Sequence, residues 1–372
     1  MVSAVRRPNT TPSPSSPAPG SAEPRSPEPQ VRPGAVYPLR AMGQDEMFSG
    51  AFSVIRRNRR AVLGLPLLAG VLNFATAILL MLLFPSQQFM RMLLDPAAFD
   101  DPEMAWAVMG DGAMWLVLML TGFIGNLVLA LSVGLLAIPA LRAAYGLPTT
   151  LGQTIRLRAG TLGWLALHCV VLGLLLAVAG VIVLVLSALL IGVTFFIAAV
   201  VVLPGLFLLL CWVSAAFMFG PMVIVVERRN AFSALARSFS LNRGLWWRHI
   251  GAVALVYLIG TIALLIASLP AGIVAGFGTE LGWQAPQGQE SWISILLLAV
   301  GNLYDAVLAA LMVALAGTVI AVMYLNARFR QEALDAVLLD AAADVDDPAT
   351  LIPGSPEHLG AHFSAAGSGR PE

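Results

Sequence analysis

Apolar residues in this chain fall in runs too long for a soluble core, separated by short polar joints that carry arginine. Residues 61–84 are uncharged throughout. As a helix rising ~1.5 Å per residue they reach ~36 Å, enough to cross a ~30 Å hydrocarbon layer. A second uncharged run covers 113–141, and a third, 161–226, holds no formal charge over 66 residues. The third is too long for one crossing and predicts two. The turn is expected near 191–200, helped by Gly192, with Pro204 kinking or starting the next helix. Residues 250–278 form a fifth run, and the sixth is interrupted only by Asp305. The pattern predicts an all-α polytopic membrane bundle. Its six spans lie at about 61–84, 113–141, 161–190, 200–226, 250–278 and 292–326, within a membrane domain of 37–340. The flanks read differently. Residues 1–36 are rich in Pro, Ser and charge, and 341–372 are polar and mildly acidic. Neither offers enough apolar surface to offset the entropy of ordering, so both are expected to be disordered. Arg6 and Arg7 are followed by prolines rather than an apolar core, unlike a signal peptide.

Composition agrees. Hydrophobic residues make up 58%, charged residues 11%, and mean hydropathy is +0.84, whereas soluble domains average about a quarter charged residues. The formal net charge is zero, so no basic excess points to a nucleic-acid partner. Cys169 and Cys211 both sit in apolar runs, which excludes a disulfide framework.

Arginine placement sets the expected orientation. Arg56, Arg57, Arg59, Arg60, Arg142, Arg156, Arg158, Arg228, Arg229, Arg237, Arg243, Arg248, Arg328 and Arg330 all fall on one side of a six-span layout. The opposite joints hold Arg91 alone, with most of the loop acids. The positive-inside rule then predicts a cell inner-membrane protein with both termini in the cytoplasm.

Two of the arginine-bearing joints are alike. Phe48-Ser-Gly-Ala-Phe-Ser-Val-Ile-Arg-Arg-Asn-Arg59 precedes span one and Phe232-Ser-Ala-Leu-Ala-Arg-Ser-Phe-Ser-Leu-Asn-Arg243 precedes span five. Phe48, Ala51, Phe52 and Ile55 follow the spacing of one helical face, as do Phe232, Leu235, Ala236 and Phe239. Thr149–Arg158 offers a degenerate third copy, which would divide the chain into three units of one amphipathic helix and one hairpin. Such helices either anchor the bundle at the interface or form a dedicated site. Arg56, Arg57, Arg59, Arg60, Arg237, Arg243, Trp246, Trp247 and Arg248 are the candidate contacts for anionic lipid headgroups or an envelope protein partner.

Pro38-Leu-Arg-Ala-Met…Glu46-Met-Phe-Ser-Gly-Ala-Phe…Arg56-Arg-Asn-Arg, Pro221-Met-Val-Ile-Val-Val-Glu227, Ala234-Leu-Ala-Arg-Ser238…Asn242-Arg-Gly-Leu-Trp246 and Tyr324…Arg328-Phe-Arg-Gln-Glu332 together resemble motifs of the glycerophosphoryl diester phosphodiesterase membrane-domain family. These are mostly uncharacterised multi-span proteins common in actinobacteria. The resemblance implies the same membrane fold over roughly 37–340. It does not bring the hydrolase with it. Some members carry a phosphodiesterase barrel after the membrane part, and the ~40 residues after span six are far short of the ~250 of such a barrel.

Candidate chemistry inside the spans is sparse. His168 in span three and Asp305 in span six are the candidate intramembrane polar site, because ionisable groups in lipid are functional by default. For His168 the alternatives are a proton relay and a neutral imidazole bonded to a neighbouring helix. For Asp305 they are a coupling-ion site beside Asn302 and Tyr304, and a carboxylate at the outer interface. His249 reads as polar cover at the interface. Gly272-Ile-Val-Ala-Gly276 is a GxxxG pair expected to serve packing within the bundle. No Walker loop, nucleophile elbow, zincin motif or cofactor fingerprint occurs, so no cofactor or metal and no enzyme activity are expected. The expected function is a non-catalytic scaffold or accessory protein of the cell envelope. The alternative is a transporter for a lipid-like or amphipathic molecule, motivated by the repeat, by Pro66 and Pro204 within spans, and by His168 and Asp305.

Overall fold

The computed structural model describes residues 35–84, 103, 106–107, 110–194, 199–283, 292–342 and 348–361. Most of the expected N-terminal tail and most of the acidic loop after span one lie outside these residues. Every regular element among the described residues is helical. Six stretches among the described residues are long and apolar enough to cross a membrane.

The helices are α1 (Gln44–Arg57), α2 (Arg59–Leu83), α3 (Gly112–Ala144), α4 (Leu151–Arg158), α5 (Leu162–Val193), α6 (Ala199–Phe217), α7 (Gly220–Glu227), α8 (Ala231–Asn242), α9 (Trp246–Trp283), α10 (Trp292–Glu332) and α11 (Leu334–Ala341). The long uncharged run divides where the sequence expects it, between α5 and α6. Span four is also broken, between α6 and α7. Pro221 sits in the first turn of α7, where its missing N–H costs nothing. Gly220 receives the His168 ring, since a Cβ there would lie only 2.5 Å from it.

The packing is cyclic. α2 lies along α3 and α10, α5 along α7 and α3, and α9 along α10 and α6. Thus the first span of each hairpin packs on its own second span and on that of the preceding unit. Each hairpin thus stands in the same relation to the unit before it, in line with a three-unit division of the sequence. The leading helices pack less regularly. α1 rests mainly on α10, α4 equally on α2 and α3, and α8 mainly on α7, with further contact to α5 and α6.

Burial within α1 and α8 strengthens the equivalence. In gapless register, Met47 and Ala231, Gly50 and Ala234, Val54 and Ser238, and Asn58 and Asn242 are all buried. This is a face of mostly small residues turned onto the bundle. The aromatic face lies the other way, with Phe52 58% and Phe232 62% exposed. The two helices therefore have two apolar faces, one for protein and one left outside.

The main core sits at the arginine-rich end, where α10 is buried from Gly317 to Phe329 save for Ile320. Small residues bring the spans together. A Cβ on Gly70 would stand 3.2 Å from the Ala306 carbonyl, and one on Gly134 3.1 Å from the Pro221 carbonyl and 3.2 Å from Leu165. In lipid there is little hydrophobic drive between helices, so close contact of this kind carries much of their association. The GxxxG pair is not used that way. Gly272 and Gly276 face open space, while Ala271 and Ala275 meet Gly301 of α10.

One expectation is corrected. Residues 348–361, placed in a disordered tail, form a strap across the arginine-rich end. Ile352 is buried in the main core, and 356–361 make a helical turn. At the other terminus Val36 already donates to the Ala143 carbonyl (3.2 Å) and the Tyr37 hydroxyl to the Ala140 carbonyl (2.5 Å).

Gly134→Val forces branched bulk into the crossing of α3, α5 and α7. We expect it to cost about 1–3 kcal/mol, the usual penalty of overpacking. Gly173→Ala, where a Cβ meets open space, should leave stability nearly unchanged. Thermal unfolding of the two variants in one detergent checks the contrast.

Candidate functional site at the arginine-rich end

α7 ends at Glu227, and Arg228 follows in the left-handed conformation (φ 55°), closing the helix. Asn230 then caps α8, its Oδ1 accepting from the Ser233 N–H at 2.8 Å. This tight reversal lays α8 against α7 and aims Arg237 back at Glu227. Glu227 accepts from Arg237 Nε (3.1 and 3.2 Å), Arg229 Nε (2.9 Å) and the Tyr324 hydroxyl (3.0 Å). Arg328 Nε stands 3.9 Å away. Glu332 accepts from Arg328 Nε at 2.9 Å and pairs with Arg237 Nη2. Two carboxylates are thus shared among three arginines and a tyrosine, which come from the turn after α7, from α8 and from α10. Burial alone would lower the pKa of Arg237, but Glu227 and Glu332 more than offset it and raise the value.

Polar residues around this cluster lock α8 in place. Ser238 Oγ donates to the Ala216 carbonyl (2.8 Å) and accepts from the Phe219 N–H (3.2 Å). Asn242 Nδ2 donates to the Ser238 carbonyl (2.9 Å), and its Oδ1 faces His249 Nδ1 at 2.7 Å. His249 is buried, edge-on to Phe219, rather than exposed as polar cover. Segments far apart in sequence, 216–249 and 324–332, thus meet in this one network.

A second cluster holds the strap. The buried Arg142 donates through Nε to Thr149 Oγ1 (3.1 Å), through Nη1 to the carbonyls of Leu351 (2.7 Å) and Ala349 (3.3 Å), and through Nη2 to those of Pro348 (3.0 Å) and Pro148 (3.2 Å). Arg328 Nη1 donates to the Gly354 carbonyl at 3.0 Å, joining the two clusters. Glu357 pairs with Arg158 (3.1 Å) and Arg228 (2.7 Å). Partial burial opposes the charged form of Glu357. Hydrogen bonds from Arg228, its own backbone and Arg158 prevail and hold its pKa down at about 2.

The candidate headgroup contacts divide. Arg56, Arg59, Arg60 and Arg243 are exposed, with no ion-pair partner among the described residues. Arg57 is exposed and donates to the Gly146 carbonyl (2.8 Å). Trp247 is 82% exposed. Trp246 is half-buried, stacked on Trp212 and edge-on to Phe239. Arg248 is half-buried, its carbonyl accepting from Gln44 Nε2 (3.2 Å). Arg237 is corrected: it turns inward to two carboxylates and is not offered to headgroups.

His168 and Asp305 do not form one site. The His168 ring is buried against Gly220, with Nδ1 3.3 Å from the Ala231 carbonyl and no partner for Nε2 among the described residues. Asp305 lies ~35 Å along α10 from Arg328, exposed on the helix surface. Tyr304 turns away from it and donates to the Ala267 carbonyl at 3.0 Å. Among the described residues no group of His, Cys, Asp and Glu is placed to hold a metal. Glu227 and Glu332 each accept from arginines, and Glu227 from Tyr324 as well, so the cluster acts as a clasp between α8, α10 and the end of α7.

Fold and site together define an integral, multi-pass membrane protein. Comparison with family models, curated proteins and solved structures finds no match for the chain.

Glu227→Gln removes the shared charge and leaves Arg237 and Arg328 under-neutralised in a buried setting. We expect a loss of about 3–5 kcal/mol, as for breaking a buried pair from one side. Arg229→Ala, at an exposed partner, should cost under about 1 kcal/mol. Denaturant unfolding in detergent distinguishes them.

The strap should respond to acid in a defined window. Because the folded pKa of Glu357 lies below its ordinary 4.5, its contribution is complete above that value and is lost as pH falls through about 2. Limited proteolysis of the strap should be unchanged between pH 7 and 5 and should accelerate below pH 4. Glu357→Gln should be cut readily at every pH.

Proposed function

We propose that the protein is a non-catalytic scaffold or accessory protein of the cell's inner membrane, with its arginine-rich end and both termini in the cytoplasm. The observation that carries this reading is the outward set of Arg56, Arg59, Arg60, Arg243 and Trp247 beside the exposed aromatic faces of α1 and α8. Such a rim suits anionic headgroups, each arginine near the surface contributing about 1 kcal/mol. The leading helices are clamped to the bundle by their small-residue faces, which keeps that rim rigid. The resemblance to phosphodiesterase membrane domains supports the same reading, since its motif residues build the clasp that holds α8.

Native mass spectrometry of protein from bilayers of phosphatidylcholine with about a third phosphatidylglycerol tests the lipid part. The protein should retain phosphatidylglycerol selectively, and the combined Arg59→Gln, Arg60→Gln and Arg243→Gln variant should lose most of that selectivity. Equal retention by both proteins would refute it.

The break at Gly220–Pro221 against the His168 ring favours a second reading, a transporter for an amphipathic molecule, because discontinuous spans line many transport sites. Flux of a fluorescent phospholipid across proteoliposomes, abolished by His168→Ala, would support it. Flux equal to that of empty liposomes would remove it.

A further inference from the structure

Asp305 carries a charge where the bundle meets lipid. It lies ~20 Å along α10 from Trp292, next to Ala306, which meets Gly70 ~15 Å along α2 from Arg60. A carboxylate at that depth is costly unless it is paired or hydrated, and Asp305 has no ion-pair partner among the described residues. Its surroundings form a groove. Ala306 and Ala310 turn toward α2, Gly301 toward α9, and Asn302, Asp305 and Ala309 are exposed on the strip between. Tyr304 reaches Ala267 from the opposite side of the α9–α10 seam. By helical periodicity, Gly272 and Gly276 therefore lie on the Asp305 side of α9. Both are exposed, and a Cβ on either would meet open space. One lateral face thus combines, among the described residues, an acid with no ion-pair partner, an exposed amide and the exposed glycines of the GxxxG pair.

We propose that this groove is the docking surface for a transmembrane helix of another protein, one that presents a basic side chain to Asp305. Charge complementarity selects the occupant. The glycines allow a helix to come close, and Asn302 adds a donor and an acceptor. A second copy of this chain does not fit, because its spans contain no Arg at that depth to offer. The inference rests on the accessory-protein reading and gives it a partner class.

The test uses the full chain reconstituted in phosphatidylcholine–phosphatidylglycerol bilayers. The probe is a synthetic Leu/Ala transmembrane helix bearing one mid-helix Lys. Energy transfer should report association about tenfold tighter than for the same helix with Leu in place of Lys. Asp305→Asn should erase that preference while leaving thermal stability intact, and Gly272→Leu should weaken binding of both helices. Equal binding of the Lys and Leu helices, or a preference that survives Asp305→Asn, would overturn the proposal. In cells, a photocrosslinker at Ala309 should trap a different protein, and trapping should vanish in Asp305→Asn. Adducts only with lipid or with a second copy would also overturn it. A protein partner trapped at Trp247 but not at Ala309 would sink the groove and leave the accessory reading standing.

Discussion

Glu227 has only 8% of its side chain exposed, yet it faces three arginines and a tyrosine. Removing a carboxylate from water costs several kcal/mol, which only close, multiple partners offset. Those partners come from the turn after α7, from α8 and from α10, so the charge is satisfied only when all three are in place. Other features at this end follow from that requirement. Arg237 must turn inward, which fixes the rotation of α8 and sends Phe232 and Phe239 outward. Arg328 must reach both Glu332 and the Gly354 carbonyl, which ties the strap to the same cluster. A buried ion network is a weak source of net stability but a strict geometric condition, and here it sets register.

The spans were legible in the sequence because one physical rule governs them. A chain in lipid must satisfy its backbone internally, so an uncharged run of sufficient length has to be a helix. The division of residues 161–226 followed from length and arginine placement together. The leading helices were legible for a related reason, since an aromatic face spaced at 3.6 residues stands out against polar neighbours. Their inward faces were not. Gly50, Ala231 and Ala234 carry almost no hydrophobic signal, and their importance comes from what they let approach. The strap escaped notice on similar grounds. Its anchors are one isoleucine, a pair of glutamate contacts and four backbone carbonyls, and carbonyls are invisible in composition. Arg142 was legible only as a topological charge, because nothing in its neighbours foretells a buried guanidinium with five acceptors.

The candidate contacts show the same division between local and long-range information. Arg59 and Arg60 open α2 and Arg243 closes α8, all three exposed in the joints where the arginine pattern locates them. Arg237 sits two turns into α8 and belongs to the same joint by sequence. Its fate is decided by Glu227 and Glu332, ten and ninety-five residues away. Local pattern sets where an arginine lies along the helix, and distant carboxylates set which way it points.

The bundle is also uneven from end to end, and the reason is the solvent. At the arginine-rich end, water-facing turns allow ion pairs, caps and an apolar core to act together. Toward the other end only small-residue contact remains, and the outer half of α5 from Leu174 onward is largely exposed. Apolar side chains there cost nothing in lipid, so their exposure carries no information. A charge does. An exposed leucine is at home against acyl chains, while Asp305 on the same kind of surface is not, and the two differ only in what lipid can supply. The uncovered carboxylate therefore says more about what this protein meets in its membrane than all the apolar surface around it.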